Sequence, residues 1–430
     1  MATAKRILAA ALLVLTAAAC AGPATRSSED FGRTAVTAPP TPSGASGAPA
    51  GAQLAMGLTR ASVPVGFRAV PEAIDIVRPS GLAVDPAGGV VVIEAGNQLR
   101  RLGAGGGRDL ITQGPAGANW TGVAAGGGAF FVTAAGAGGS GGRLLRVELD
   151  GRTAVLQDLP QVGLSAPTVG PDGMVYLATA TVSDAGIVAD NAPGRGGTPA
   201  LRDIPCQNVQ LQGRNFTEGR SQTGAFVPFG SPTQAGQVVE GQLPCNGAVL
   251  RTTENGGALQ LVAWGFHRPH GLAFTPEGRL YLLDDGFRGD GVRAEPQGGN
   301  LIYAVAAGLW YGWPDMHGSR PAAPPLLAAQ PNPPPRPLAE LAPDLTATAL
   351  DATQADLFGG SVQAYLAVAV PNYGFRILRC DLRTGRLVDF AEFPEATPPV
   401  ALRFSPTGDA LYVLEQGGTL WRIERDIPVG

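Results

Sequence analysis

Lysine is nearly absent: of the 31 residues counted as lysine or arginine, only Lys5 is a lysine. Removal of the first residues would leave no lysine at all, which excludes Schiff-base catalysis and any lysine contact to a cofactor. Charge of either sign is scarce, at 15% of the 430 residues against about 25% in ordinary soluble proteins. The net charge of −4 offers no basic face to a nucleic acid. Histidine occurs three times and cysteine four times. Long apolar runs are also missing, apart from Ile7 to Ala19 behind Lys5 and Arg6. That run is too short to span a bilayer and fits the apolar core of a secretory signal.

The signal ends in the string AAAC, which resembles a bacterial lipobox, so Cys20 is expected to be lipidated; plain cleavage after Ala19 is the alternative. Residues 21–55 are rich in Ala, Gly, Pro, Ser and Thr with almost no large side chains, the composition of a disordered tether. The expected organisation is a signal over 1–20, a tether over 21–55 and one folded body over 56–430. Its expected location is the bacterial cell envelope, periplasm or cell surface, with membrane contact only through the lipid anchor. Of the remaining cysteines, Cys206 in DIPCQ and Cys245 in LPCNG both follow a proline in turn-like surroundings. In an oxidising compartment these two are expected to pair as a disulfide. Cys380 lies in the alternating run FRILRCDL and reads as a buried strand residue.

What the chain has in plenty is turn chemistry, with 62 glycines and 38 prolines beside a hydrophobic content of 44%. Many short strands joined by tight turns give that balance, and a helical bundle does not. One phrase recurs: a small apolar strand, a turn with Pro or Gly, and a second apolar strand. It reads GLAVDPAGGVVVIEAG from Gly81, GVAAGGGAFFVTAAG from Gly122, PTVGPDGMVYLATA from Pro167 and GLAFTPEGRLYLLDDG from Gly271. Looser copies are GGSVQAYLAVAVPNYG from Gly359 and ALRFSPTGDALYVLEQG from Ala401. The P-x-G step is hairpin chemistry, and a minimum spacing of about 40 residues is the period of a four-stranded propeller blade. The expected fold is therefore all-β, a six-bladed β-propeller with two large insertions. One insertion holds Cys206 and Cys245; the other holds the proline-rich stretch 320–345. The segment VPVGFRAV from Val63 is expected to close the ring by joining the last blade.

The phrases GFHRPHGLAFTPEGRLYLLDDG and YGWPDMHG, with DIPCQNVQLQGRNF, TGAFVPFGSPTQAGQVVEGQLPCNGAVLR and NYGFRILRCDL, resemble the glucose/sorbosone dehydrogenase family, in its sorbosone or pyranose dehydrogenase branch. The resemblance runs from about Arg78 to Glu424. It implies a propeller quinoprotein that oxidises a sugar or related hydroxy compound by hydride transfer to pyrroloquinoline quinone (PQQ) beside calcium. It also implies site residues. Arg268, Tyr373 and Arg376 stand at or near positions that hold the cofactor, and Asp284, Asp285, Gly286 and Phe287 match the calcium loop, the last two through backbone carbonyls. The family's catalytic histidine would precede the third P-D-G turn, where this chain reads Leu164, Ser165, Ala166 and Pro167. His267 and His270 are the residues expected to replace it. The family's paired arginines before the last S-P-x-G turn are Pro398 and Val400 here. Trp310, Tyr311 and Trp313 read as a sugar-stacking surface or as packing. Two other functions stay open: a non-catalytic binding propeller that has lost PQQ, and a calcium-dependent lactone hydrolase using Asp284, Asp285, Glu94 and Asn300.

Overall fold

The recurring phrase folds as the two inner strands of a four-stranded antiparallel sheet, and six such sheets follow one another along the chain. This computed structural model describes residues 33–35 and 61–426, apart from 104–105, 137–140, 160–162, 191, 193–199, 290, 294, 353–357 and 359–362. Cys20, the signal and most of the tether segment lie outside the described residues. No α-helix occurs among the described residues.

The first blade runs Gly81–Val84, Val90–Glu94, Gln98–Leu102 and Arg108–Gln113 from inside to outside. The second runs Asn119–Gly126, Ala129–Ala135, Gly142–Glu148 and Thr153–Leu159. The third keeps only Thr168–Val169 as its innermost strand, then Val175–Thr179, Ala248–Thr253 and Gly256–Trp264. The first insertion leaves between its second and third strands. The fourth blade is Pro269–Phe274, Leu280–Asp284, Leu301–Val305 and Ala339–Glu340, and the second insertion separates its last two strands. The fifth is Thr346–Ala352, Gln363–Val370, Gly374–Asp381 and Leu387–Pro394, extended at its edge by Ser62–Pro64 and Arg33–Ala35.

The sixth blade takes Pro399–Phe404, Ala410–Glu415 and Leu420–Arg425 from the C-terminal end of the chain and its outer strand, Phe67–Ala73, from near the start. The register runs from Phe67 opposite Arg425 to Ala73 opposite Leu420. The expected closure is present, with Val63 itself on the neighbouring edge strand of the fifth blade.

The second strand of each blade explains the pattern in the sequence. Val90–Glu94, Val175–Thr179, Leu280–Asp284 and Ala410–Glu415 are buried at every residue. A strand covered on both faces reads as a continuous apolar run rather than an alternating one. The described core divides into six apolar clusters, each lying between two neighbouring blades. Leu82 and Val92 of the first blade pack with Tyr412 and Leu414 of the sixth, so the ring closes through a cluster like the other five.

The insertions are tied together. Cys206 and Cys245 form the expected disulfide, with Cα atoms 5.0 Å apart. Cys380 is a free, buried thiol between the fourth and fifth blades, and burial pushes it up to about 12. Arg293 is buried and donates to the carbonyls of Ala185, Pro314 and Pro324, with Asp315 Oδ1 3.3 Å away. Asp315 accepts the N–H groups of Leu326 and Leu327. One buried guanidinium thus joins the first insertion, the loop after Leu280–Asp284 and the second insertion. Trp310 is fully buried and its Nε1 donates to Trp313 O, while Trp313 Nε1 donates to Asp184 O. Tyr311 is buried against Phe266. These aromatics pack the insertion, and none presents an open stacking face.

Candidate functional site

The sequence places its histidines and acidic pair where the fourth blade begins, at the end of the ring from which the innermost strands start. Asp284 is the last residue of a second strand. Both of its carboxylate oxygens accept backbone N–H groups, Oδ2 from His267 at 3.0 Å and Oδ1 from Arg268 at 2.8 Å. Other blades do the same. Glu94 accepts Val77 N–H at 2.9 Å, and Glu415 accepts Thr397 N–H at 2.7 Å. A carboxylate at the end of a second strand therefore staples the segment that enters the blade. Burial pushes the Asp284 carboxyl up to about 6, against the pull of His267.

Asp285 points the other way. Its Oδ1 accepts Asn300 Nδ2 at 2.8 Å, and Arg288 approaches Oδ2 at 3.4 Å. Asn300 Oδ1 in turn accepts Ala347 N–H at 3.0 Å, from the innermost strand of the fifth blade. Gly286 lies so close to the facing segment that an added Cβ would sit 2.0 Å from Gly298 O. Phe287 O accepts Gly298 N–H at 2.9 Å, and the Phe287 ring is wedged between His267 and His317.

His267 is buried. Its Nδ1 lies 3.2 Å from Asp285 O, and its Nε2 lies 3.1 Å from Asp184 Oδ1, at ion-pair distance but off the line of a hydrogen bond. Burial alone would raise Asp184; the adjacent His267 outweighs it and holds that carboxyl below the ordinary range. Asp184 also accepts Arg288 N–H through both oxygens at 3.1 Å. His267 thus locks the first insertion to the fourth blade. His317 is buried as well, and desolvation drops it to about 4.

His270 alone of the three faces the central channel, a cavity of ≈ 210 Å³ lined by the inner strands of five blades and by 164–166, which lead into the inner strand of the third. Both of its ring nitrogens meet carbonyl oxygens, Nδ1 with Arg268 O at 3.1 Å and Nε2 with Ala347 O at 2.8 Å. Asp285 Oδ1 lies 3.6 Å from Nδ1. Neither nitrogen offers an open lone pair to the channel. The polar residues of the cavity wall that sequence reasoning missed are Ser80, Thr121, Thr348 and Arg403. They carry no motif, because a channel-lining position is set by its place on an inner strand and accepts side chains as different as those of Ser80 and Arg403. Ser80 Oγ donates to Trp120 O and Arg403 to the carbonyls of Leu402 and Leu350.

Tyr373 and Arg376 do not line this cavity. They stand together in the fifth blade, the guanidinium 5.4 Å from the centre of the Tyr373 ring. Arg376 lies 3.7 Å from Asp389 and 3.9 Å from Glu392, and the Tyr373 hydroxyl donates to Glu392 at 3.1 Å. Glu94 is likewise remote from Asp284, paired to Arg100 and Arg108 in the first blade. Asp284, Asp285, Asn300, His267, Arg268 and His270 do come together; Glu94, Tyr373 and Arg376 do not join them.

Neither PQQ nor calcium suits these residues as they stand. Calcium takes about six to eight oxygen ligands, and both oxygens of Asp284 already accept N–H donors. No group of three His, Cys, Asp or Glu side chains placed to hold a metal occurs among the described residues. A tricarboxylate cofactor needs cations, and among the described residues the cavity wall offers only Arg403 and His270, each engaged with backbone carbonyls. At the place where the resemblance would put a catalytic base, Ser165 Oγ donates to Ala166 O and accepts Ala178 N–H.

Comparison with solved structures finds the same architecture. The PQQ-bound aldose sugar dehydrogenase from Streptomyces coelicolor is 15% identical with a TM-score of 0.55, covering 84% of this chain and 99% of that one. The holo pyranose dehydrogenase PQQ domain from Coprinopsis cinerea is 14% identical, TM-score 0.55, over 85% of this chain and 97% of that one. A Trichoderma reesei carbohydrate-active enzyme of family AA12 is 12% identical, TM-score 0.52, over 85% and 97%. The likeness is one of fold. No family model matches the chain, and no curated protein matches it.

Proposed function

We propose that the protein is an exported, carbohydrate-directed propeller of the glucose/sorbosone dehydrogenase type. Its ligand is a sugar or related hydroxy compound, held at the end of the ring where the inner strands start, without PQQ. The observation that carries this reading is the engagement of the candidate catalytic groups. Asp284 staples its own blade, His267 is buried against Asp184, and both nitrogens of His270 meet carbonyl oxygens. The sugar-directed part rests on the motif resemblance and on a fold shared with sugar dehydrogenases across most of the chain. Export and anchoring through Cys20 rest on the N-terminal sequence alone, and an acylated N-terminal cysteine in the mass spectrum of the exported chain checks them.

A second reading, PQQ-dependent oxidation of a sugar, is favoured by the PQQ-bound neighbours of the same fold. Calorimetric titration with PQQ and excess calcium separates the two. Absence of binding, together with binding of a simple sugar, is the expected result. Micromolar PQQ affinity with sugar-dependent dye reduction would replace the first reading by the second. Chelator-sensitive lactone hydrolysis without PQQ would replace both.

A further inference from the structure

A second cleft opens beside the channel mouth, between the loop 371–373 of the fifth blade and the segment 395–398 that leads into the sixth. At ≈ 470 Å³ it is larger than the ≈ 210 Å³ channel cavity. That places it within the roughly 300–1,000 Å³ range of small-molecule sites, and the channel cavity below it. We propose that this cleft is the ligand site of the protein, and that it takes a hydroxylated ring that is neutral or carries an amine, never a polyanion. The inference rests on the sugar-directed reading above and names its site and ligand class.

Three observations carry it. The wall is largely apolar, with Val370, Pro371, Ala396 and Pro398, and Tyr373 supplies the aromatic element. A sugar presents apolar C–H faces to such a wall and hydroxyls to its polar rim, here Thr346, Asn372 and Glu395. Charge comes next. Among the described residues, Glu395 is the one charged residue lining the cleft. The nearby guanidinium of Arg376 faces two carboxylates, Asp389 and Glu392. The local field is therefore negative, which favours an amine and opposes a tricarboxylate.

The frame is the third observation. Asn372 and Glu395 both hold left-handed backbone, φ 58° and 63°. Glu395 N–H donates to Tyr373 O at 2.6 Å, pinning one loop to the other. Asn adopts this conformation readily, but for Glu395 it costs about 1–2 kcal/mol, and strained residues gather at ligand clamps. The cleft also adjoins the described site. Thr346 on its rim precedes Ala347, whose carbonyl meets His270, and Pro398 is two residues from Val400 of the channel wall.

The test is calorimetric titration of the exported, full-length mature chain with glucosamine, glucose and glucuronate. Expected is glucosamine tightest and glucuronate weakest. Glu395→Gln keeps a hydrogen-bonding group on the rim and removes its charge, so it should cost about tenfold of the glucosamine affinity, the size of one charge-assisted hydrogen bond, and lower glucose affinity by a much smaller factor. Tyr373→Ala should weaken both. Tyr373→Phe, which keeps the ring, should restore glucose binding if Tyr373→Ala is poorly folded. Glucuronate binding as tightly as glucosamine overturns the inference. So does sugar binding that Glu395→Gln and both Tyr373 variants leave untouched, which would keep the sugar-directed reading and move its site. Binding of PQQ in place of any sugar removes that reading and the inference together.

Discussion

The carboxylates of Asp284 and Glu415 occupy equivalent places in the fourth and sixth blades, each closing on the backbone N–H of the segment that leads into its own blade. Their equivalence makes Asp284 part of a repeated structural device before it is a candidate for anything else. Asp284→Ala would strip the acceptor from two N–H groups and is expected to cost about 2–4 kcal/mol. Urea denaturation reads this directly. Calcium or a chelator should leave the wild-type midpoint where it is; a midpoint that falls with chelation would return Asp284 to the metal.

Two buried groups make opposite contributions to the pH dependence of stability. His317 is held at about 4 against 6.5 by burial, so between those values the unfolded chain carries a proton that the folded chain lacks. Raising the pH across that window stabilises the fold, by about 3 kcal/mol in all. Asp284 is raised by burial from 3.8 to about 6, so there the folded chain keeps a proton that the unfolded chain has lost. Raising the pH across that second window destabilises by a similar amount, about 3 kcal/mol. The two slopes largely cancel in the wild type. His317→Gln should make stability fall as the pH rises from 4 to 6, and Asp284→Asn should make it rise. Parallel slopes in the two variants would contradict the assignment.

The disulfide closes a loop with a sequence separation of 39 residues. Chain-entropy arguments give such a cross-link about 4 kcal/mol. The double variant Cys206→Ser, Cys245→Ser is expected to lose most of it in equilibrium unfolding. The blade interfaces away from the insertion should keep their amide protection under native conditions, and loss of protection throughout would show that the clamp supports the whole ring.

Arg293 joins three segments, and its removal would leave Asp315 buried beside an empty place. Arg293→Ala is expected to destabilise by about 3–5 kcal/mol. Limited proteolysis should then cut within 180–247 or 306–338 before it cuts any blade.

The propeller was legible because burial on both faces turns each second strand into an unbroken apolar run, as in VVVIE at 90–94 and LYLLD at 280–284. The disulfide was legible from the turn chemistry around two cysteines. The site was less so. Paired aspartates at 284–285 read equally as metal ligands or as backbone acceptors, and only the positions of the His267 and Arg268 N–H groups decide between them. Tyr373 and Arg376 stand in a recognisable phrase, but the fold turns them toward Glu392 and away from His270. The second cleft had no signature, since it is assembled from two loops more than 20 residues apart in the chain.

The strand Phe67–Ala73 lies near one end of the folded chain and its partner, Leu420–Arg425, near the other. Until Leu420–Arg425 is made, the hydrogen-bonding edge of Phe67–Ala73 has no native neighbour, and the cluster of Leu82 and Val92 lacks its other half. The ring therefore cannot mature blade by blade from its N-terminal end. The same arrangement places both ends of the propeller on one blade, so a chain recut at a surface turn of another blade would keep the circle and exchange one seam for another.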